Sequence, residues 1–351
     1  MQRRTVIQRL LQTSGGLIGA NLLASCGKPL SLDAMFAPNL LDPREPLPPH
    51  LLTPVSEFYV QSYASPMTVD VAKWQLEFTG AIANSITLSL NDILAAPQKE
   101  FYLTMECIGN QAGGDQIGNA LWQGTPLLPF LKQVQVQPEA THFMLHAADY
   151  YETTLPVADL MRPDVCLVHR MNQAPLTPEH GYPVRIIIPG RFGQKQPKWL
   201  IKIEAISQPK KGYWERQGWS NTAEIPTHSM IRQVQSDRVW HRRNSVNLPK
   251  TGTAGWANGI LIAGIALDKS SSIASIQVST DNGQQWHVAD QNRPPSPHEW
   301  TLWRYLWKPT QPGQHTLLAI ARSANQTQPL SDSDRMDGSS GALRIQVNLT
   351  A

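Results

Sequence analysis

The chain has 351 residues, enough for one large domain or two of ordinary size. Its 41% hydrophobic content suits a globular protein with a substantial core, whereas 28 prolines and only 16% charged residues imply many loops and few long helices. The formal net charge of +3 is carried by Arg3, Arg4 and Arg9 in an acid-free N-terminus, so the remainder is neutral, with no electrostatic footprint for nucleic acid and no basic stripe for anionic membranes.

The N-terminus reads as a targeting segment, residues 1–26. Gln2-Arg3-Arg4-Thr5-Val6-Ile7-Gln8 carries a twin-arginine pair, and the mildly apolar stretch 10–24 is too short and too polar to span a bilayer securely. It resembles a twin-arginine export signal. Leu23-Ala24-Ser25-Cys26 resembles a lipoprotein cleavage box, which would tether the protein to a membrane through a lipidated Cys26; the alternative is an ordinary small-residue cleavage site. The expected location is periplasmic, free or tethered. Residues 27–54 are rich in Pro and Leu and read as a spacer.

Residues 55–226 show a mixed, α+β pattern. Strands are expected at 74–79, 101–104, 141–146, 165–170 and 184–188. Short helices are expected at 90–95 after Ser89, at 127–134 after Thr125 and Pro126, and as one turn at 156–161. There is no regular βαβ alternation and no Gly-rich nucleotide fingerprint. From 227 to 351 the pattern is all-β: strands at 259–265, 273–279, 285–288, 301–307, 315–321 and 342–347, with Asp281-Asn282-Gly283 as a hairpin turn. This spacing suggests an immunoglobulin-like sandwich, without a disulfide because no cysteine follows Cys166. Trp286, Trp300, Trp303 and Trp307 read as core or interface aromatics.

Of the three cysteines, Cys26 lies in the signal and Cys166 in the apolar run Val165-Cys166-Leu167-Val168, where it reads as a small core residue. Cys107 is different. It sits in Met105-Glu106-Cys107-Ile108-Gly109-Asn110, ahead of Ile117-Gly118-Asn119-Ala120-Leu121-Trp122-Gln123-Gly124. A lone thiol between a β-like run and a Gly/Asn-rich turn is placed to hold a soft metal, although an isolated cysteine also serves as core filling. A second block runs His180-Gly181-Tyr182-Pro183-Val184-Arg185-Ile186-Ile187-Ile188-Pro189-Gly190-Arg191-Phe192-Gly193, then Lys195, Lys198 and Trp199.

These two blocks, with the Asp281-Asn282-Gly283-Gln284-Gln285-Trp286 hairpin, resemble the sulfite oxidase family of molybdenum enzymes over nearly everything after the signal. The resemblance implies one Mo-molybdopterin per chain, with Cys107 as the protein thiolate on the metal beside the pterin's two dithiolene sulfurs. It implies that His180, Arg185 and Lys198 contact the pterin and its phosphate, with Lys195 assisting. Tyr151 matches the active-site tyrosine, and Asp149 a cofactor contact. Tyr59, Gln61 and Tyr63 fall in the segment that adjoins the cofactor. There the family carries a substrate-binding arginine and, two residues on, a histidine; this chain has Gln61 and Tyr63. Losing a charge-assisted donor costs about 1.5–3 kcal/mol in binding a dianion. Arg191 is a candidate to supply the cation instead.

The cysteines leave no Cys-x-x-Cys-His haem attachment, and no flavin fingerprint is present, so electrons are expected to leave through a separate acceptor such as a c-type cytochrome, or to oxygen. The resemblance implies oxygen-atom transfer on sulfite or a related sulfur compound. Two alternatives stand beside it: a periplasmic reductase of sulfoxides such as protein methionine sulfoxide, and a dimeric binding protein that lost its metal. The family's C-terminal domain implies a homodimer.

Overall fold

The computed structural model describes residues 30–31, 45–64, 67–234, 237–238, 245–249, 256, 259–331 and 335–350. Arg3, Arg4, Cys26 and most of the 27–54 spacer lie outside the described residues. Two short strands, Leu30–Ser31 (β1) and Leu51–Leu52 (β2), pair in parallel ahead of the main body.

The next segment runs Leu76–Gly80 (β3), Ile86–Leu88 (β4), helix Leu90–Ala95 (α1), Lys99–Glu106 (β5), Ile117–Pro126 (β6), helix Leu128–Val134 (α2), His142–Ala147 (β7), Glu152–Pro156 (β8), helix Val157–Leu160 (α3), Cys166–Met171 (β9), Ala174–Pro175 (β10), Arg185–Ile187 (β11), Leu200–Ile206 (β12) and helix Tyr213–Arg216 (α4). One sheet has the order β10-β9-β6-β5 with β11 also on β9; the other has the order β4-β3-β12-β7-β8, in which only β3 and β12 run parallel.

The helices are short for readable reasons. Ser89 and Asp92 form a reciprocal capping box on α1, and Ala96, preceding Pro97, is held extended at ψ 158 and ends it. The helix α2 starts with Pro129 in its first turn and stops at Gln135, in the left-handed region at φ 54. Among the described residues there are four α-helices, none longer than seven residues, and three 3-10 turns. The protein is therefore mostly sheet, with less helix than the expected α+β pattern.

Period-two alternation divides the first sheet between two cores. Leu167 and Ile186 face a cluster shared with Phe78, Phe143, Leu145 and Ile203 of the second sheet. Val168 and Ile187 face the opposite way, onto Met105, Trp122 and Phe58. Burial on both faces explains the continuous apolar run at 184–188. Arg185, two residues from Ile187, shares the Met105 face and is itself buried.

The C-terminal part contains His228–Val234 (β13), Asp237–Arg238 (β14), Ser245–Pro249 (β15), Ile260–Leu267 (β16), Ile273–Ser279 (β17), His287–Val288 (β18), Asp290–Gln291 (β19), Thr301–Trp307 (β20), Gly313–Ser323 (β21) and Ile345–Thr350 (β22). They form two five-stranded sheets, β14-β13-β16-β20-β19 and β15-β22-β21-β17-β18. Both sheets feed one apolar cluster, in which Ile262 and Trp303 meet Val278, Leu317 and Val347. Trp300, Trp303 and Trp307 are buried, and Trp286 packs partly buried against Leu318. A further cluster joins Ile108, Ile117 and Phe192 to Met230, Ile265 and Trp300, so the C-terminal sheets pack directly behind the loop that follows β5.

Candidate functional site

Cys107 is the first residue beyond β5. Its N–H donates to the Gln116 carbonyl at 2.9 Å and its carbonyl accepts from the Asn110 N–H at 2.9 Å, which closes the loop onto itself. Glu106 beneath it is buried, accepting from Asn110 Nδ2 at 2.8 Å. The Cys107 side chain is half-buried and lines a cavity of about 300 Å³. Burial pushes its thiol above the ordinary range, opposed by the Gly109 N–H.

The same cavity is lined by His180, Arg185 and Lys198. The guanidinium of Arg185 donates to the carbonyls of His180 and Gln196, both at 3.2 Å, and packs over the Trp122 ring at 5.4 Å. Its Nε has no hydrogen-bond partner, and among the described residues no carboxylate comes within ion-pair distance of it. Burial lowers its pKa to about 10. Lys198 Nζ donates to Ser62 Oγ at 2.6 Å and to the Glu179 carbonyl at 2.8 Å, again without a carboxylate partner among the described residues. Burial first, and Arg185 second, bring it down to about 7. The same two causes lower His180 to about 4, so its imidazole is neutral, with Nε2 3.3 Å from the Val55 carbonyl. A buried arginine and a half-buried lysine, neither in an ion pair among the described residues, form a preorganised anion site, with Asp149 and Glu179 further along the same lining.

Asp149 and Tyr151 also face the cavity from the turn between β7 and β8. Asp149 Oδ1 accepts the Tyr151 N–H at 3.1 Å, and the Tyr151 phenol donates to the Gln194 carbonyl at 2.6 Å. Tyr59, Gln61 and Tyr63 also line the cavity, with the Tyr63 ring 6.4 Å from that of Tyr151. A Cβ on Gly193 would stand 2.8 Å from Tyr59 Oη and 3.4 Å from the Glu106 carbonyl, so only glycine leaves this approach open. Gln61 Oε1 accepts from Gln116 Nε2 at 3.1 Å.

Two expected contributors are elsewhere. Lys195 is fully buried outside the cavity, where its ammonium pairs with Glu215 and donates to Thr153 Oγ1 at 3.1 Å and to the Thr154 carbonyl at 3.0 Å. The 3-10 turn Gly193–Lys195 sends it behind the wall. Arg191 also points away: it forks onto both oxygens of Asp159, at 2.9 and 2.8 Å, and onto Glu224 at 3.0 Å, so it supplies no cation beside Cys107. Trp199, quoted with the second block, lines the cavity, as do Gln116, Trp214 and Trp219, which the sequence reading does not single out. The aromatic density of Tyr213-Trp214 and Trp219 is the only local signal, and it does not distinguish a cavity wall from a core.

Among the described residues no group of three or more His, Cys, Asp and Glu side chains is gathered to hold a metal ion. A metal seated at Cys107 would therefore find no ready set of three such side chains among the described residues and would draw further ligands from a bound group. A metal there would also remove the thiol proton that burial otherwise retains.

A family model described as the oxidoreductase molybdopterin binding domain matches residues 63–214. The chain is 32% identical over 154 residues to the uncharacterized oxidoreductase YuiH of Bacillus subtilis (strain 168), covering 44% of this chain and 76% of that one. It is 26% identical over 332 residues to the mitochondrial sulfite oxidase of Drosophila melanogaster, covering 82% of this chain and 58% of that protein, so it spans little more than half the length of such relatives. In fold it is similar to the sulfane dehydrogenase SoxCD of Paracoccus pantotrophus, with a TM-score of 0.69 at 19% identity over 86% of this chain and 84% of that one.

Proposed function

The chain belongs to the sulfite oxidase family of molybdopterin-dependent oxidoreductases, and on that premise we propose that it carries out two-electron oxygen-atom transfer on a small sulfur compound, exchanging electrons with a separate one-electron carrier such as a c-type cytochrome. The observation that carries this reading is the placement of the Cys107 thiol and the Arg185 guanidinium, which has no carboxylate partner among the described residues, in the lining of one cavity.

The residues present fit molybdopterin. Arg185 and Lys198 would hold its phosphate, since each is a partly or fully buried cation lacking a carboxylate. Neutral His180 would hydrogen-bond the pterin, Gly193 would leave room for it, and Cys107 would bind molybdenum as the thiolate. When bound, this group supplies the two-electron, oxygen-transferring centre. The chain's own part is to bind, orient and exclude water. Gln61 and Gln116 offer amide donors and acceptors but no charge. Tyr151, tied to the Gln194 carbonyl, fixes the wall next to Asp149.

Sulfite is the first substrate to test. Gln61, standing where the family resemblance implies an arginine, supports a second reading, in which a neutral sulfoxide is reduced. Further parts of the proposal are a catalytic unit at 55–226, an immunoglobulin-like unit at 227–351 that pairs two copies into a homodimer, and export through residues 1–26, with or without lipidation of Cys26. Molybdenum and pterin analysis of protein purified from a competent host tests the cofactor. The same sample is then assayed with sulfite plus cytochrome c and with methionine sulfoxide plus reduced viologen. Protein free of molybdenum and pterin would contradict the reading.

A further inference from the structure

Two half-buried tryptophans in the cavity wall have no role in holding the pterin phosphate or the metal. Trp219 Cη2 lies 3.6 Å from where a Cβ on Gly109 would stand, a point itself 3.8 Å from Cys107 Sγ. Trp214 meets Trp219 edge-on with ring centres 6.3 Å apart. Tyr213 meets Trp214 at 5.0 Å, and Tyr63 meets Tyr213 at 4.4 Å. A continuous row of rings thus runs from Tyr63, 43% exposed at the rim, to the neighbourhood of the thiol.

The row is held from behind. Glu215, between the tryptophans in sequence, is buried and accepts from Thr153 Oγ1 at 2.6 Å and from the Lys195 ammonium. This anchor fastens α4, with Tyr213 and Trp214, onto β8. The Trp219 N–H donates to the Trp214 carbonyl at 3.1 Å, which returns the chain so that both indoles face the cavity. The buried Lys195–Glu215 pair therefore acts as a positioning device for the aromatic wall.

Charge favours the same ligand class. Arg185 and Lys198 are taken up by the pterin phosphate, and His180 is neutral. Arg191 points elsewhere, and the amides of Gln61 and Gln116, joined by one hydrogen bond of 3.1 Å, carry no charge. Among the described residues no uncommitted cation remains on the cavity wall for a substrate dianion, whereas apolar ring surface is plentiful. We propose that Trp214 and Trp219, with Tyr63 at the rim, are specificity-determining residues that select a neutral organosulfur substrate bearing an aryl or bulky apolar substituent over an inorganic oxyanion. This inference rests on the molybdopterin reading above and names the substrate class of the same site.

The test is calorimetric titration of the molybdenum-loaded enzyme with methyl phenyl sulfoxide, dimethyl sulfoxide and sulfite. Burying one aromatic ring against two indoles favours the aryl compound about ten-fold or more over dimethyl sulfoxide. In Trp219→Leu and Trp214→Leu this preference falls to about two-fold, while Trp219→Phe retains most of it. Molybdenum and pterin contents stay at the wild-type level in all three variants. Sulfite binding more tightly than either sulfoxide would overturn the proposal, as would an aryl preference that survives both leucine variants. Loss of pterin from those variants would also overturn it, by assigning the wall to the cofactor. A wild-type enzyme that takes up no molybdenum contradicts the preceding reading instead.

Discussion

His228 Nε2 stands 3.1 Å from Glu106 Oε2, with both side chains almost wholly buried. His228 opens β13 of the C-terminal part and Glu106 immediately precedes Cys107, so one ion pair ties the thiol loop to the C-terminal sheets. Burial alone would lower the His228 pKa; the Glu106 carboxylate beside it reverses this and holds it above the ordinary range. His228→Ala leaves the carboxylate buried and unpaired, which costs about 3–5 kcal/mol. Urea unfolding measures it; a loss under about 1 kcal/mol would match an exposed pair and contradict the coupling.

The Lys195–Glu215 pair makes a parallel prediction with an internal control. Lys195→Met strands Glu215 behind the aromatic wall and lowers stability by about 3–5 kcal/mol. The double variant Lys195→Met/Glu215→Leu removes both charges and recovers most of that loss, read by thermal unfolding. Equal losses in the single and double variants would show that the pair is not the source.

Arg185 should behave in the opposite way. Its buried, acid-free guanidinium serves ligand binding at the expense of the free protein. Arg185→Met leaves the stability of the apoprotein within about 1 kcal/mol of wild type. The same change removes charge-assisted hydrogen bonds of about 1.5–3 kcal/mol to an anion, so pterin content after purification falls by roughly ten-fold or more. Parallel pterin assay and unfolding of one preparation separate the two effects.

Lys198 sets a pH dependence. In the free protein its pKa is about 7, so the amine is largely neutral above that pH. A bound phosphate favours the ammonium and raises the pKa towards its ordinary value. Above pH 7 binding therefore takes up a proton, and affinity falls as pH rises, by up to about ten-fold per unit. Below pH 7 the amine is already charged and its contribution levels off. Titrating the apoprotein with inorganic phosphate at pH 7 and pH 8.5 checks this, and Lys198→Met should flatten the profile between them. An affinity that rises with pH would exclude the assignment.

Much of this architecture was legible in the residues. The strand at 273–279, the strand at 301–307 and helix 90–95 fall at their expected bounds; the two strands are β-branched or aromatic runs, and a capping box opens the helix. Strand β6 was missed. Gly118, Asn119, Gly124 and Pro126 resemble a loop, yet a Cβ on Gly124 would stand 2.1 Å from the Leu167 carbonyl, so the glycine is there for close strand packing. At the site, Cys107, His180, Arg185 and Lys198 converge on one cavity as the two sequence blocks implied. Lys195 and Arg191 do not, since spacing along an irregular turn says nothing of which side of the wall a long side chain takes. Their acidic partners, Glu215, Asp159 and Glu224, lie far off in sequence. The aromatic wall depends likewise on tertiary placement of Tyr63 against the Tyr213–Trp219 segment, which no local pattern encodes.

The proposed function depends on a bond between the Cys107 sulfur and molybdenum. X-ray absorption at the molybdenum edge, on wild type and on Cys107→Ser purified from the same competent host, tests it most directly. The serine variant should lose one sulfur ligand and all turnover while keeping its fold by circular dichroism. Unchanged sulfur coordination in the variant would contradict it.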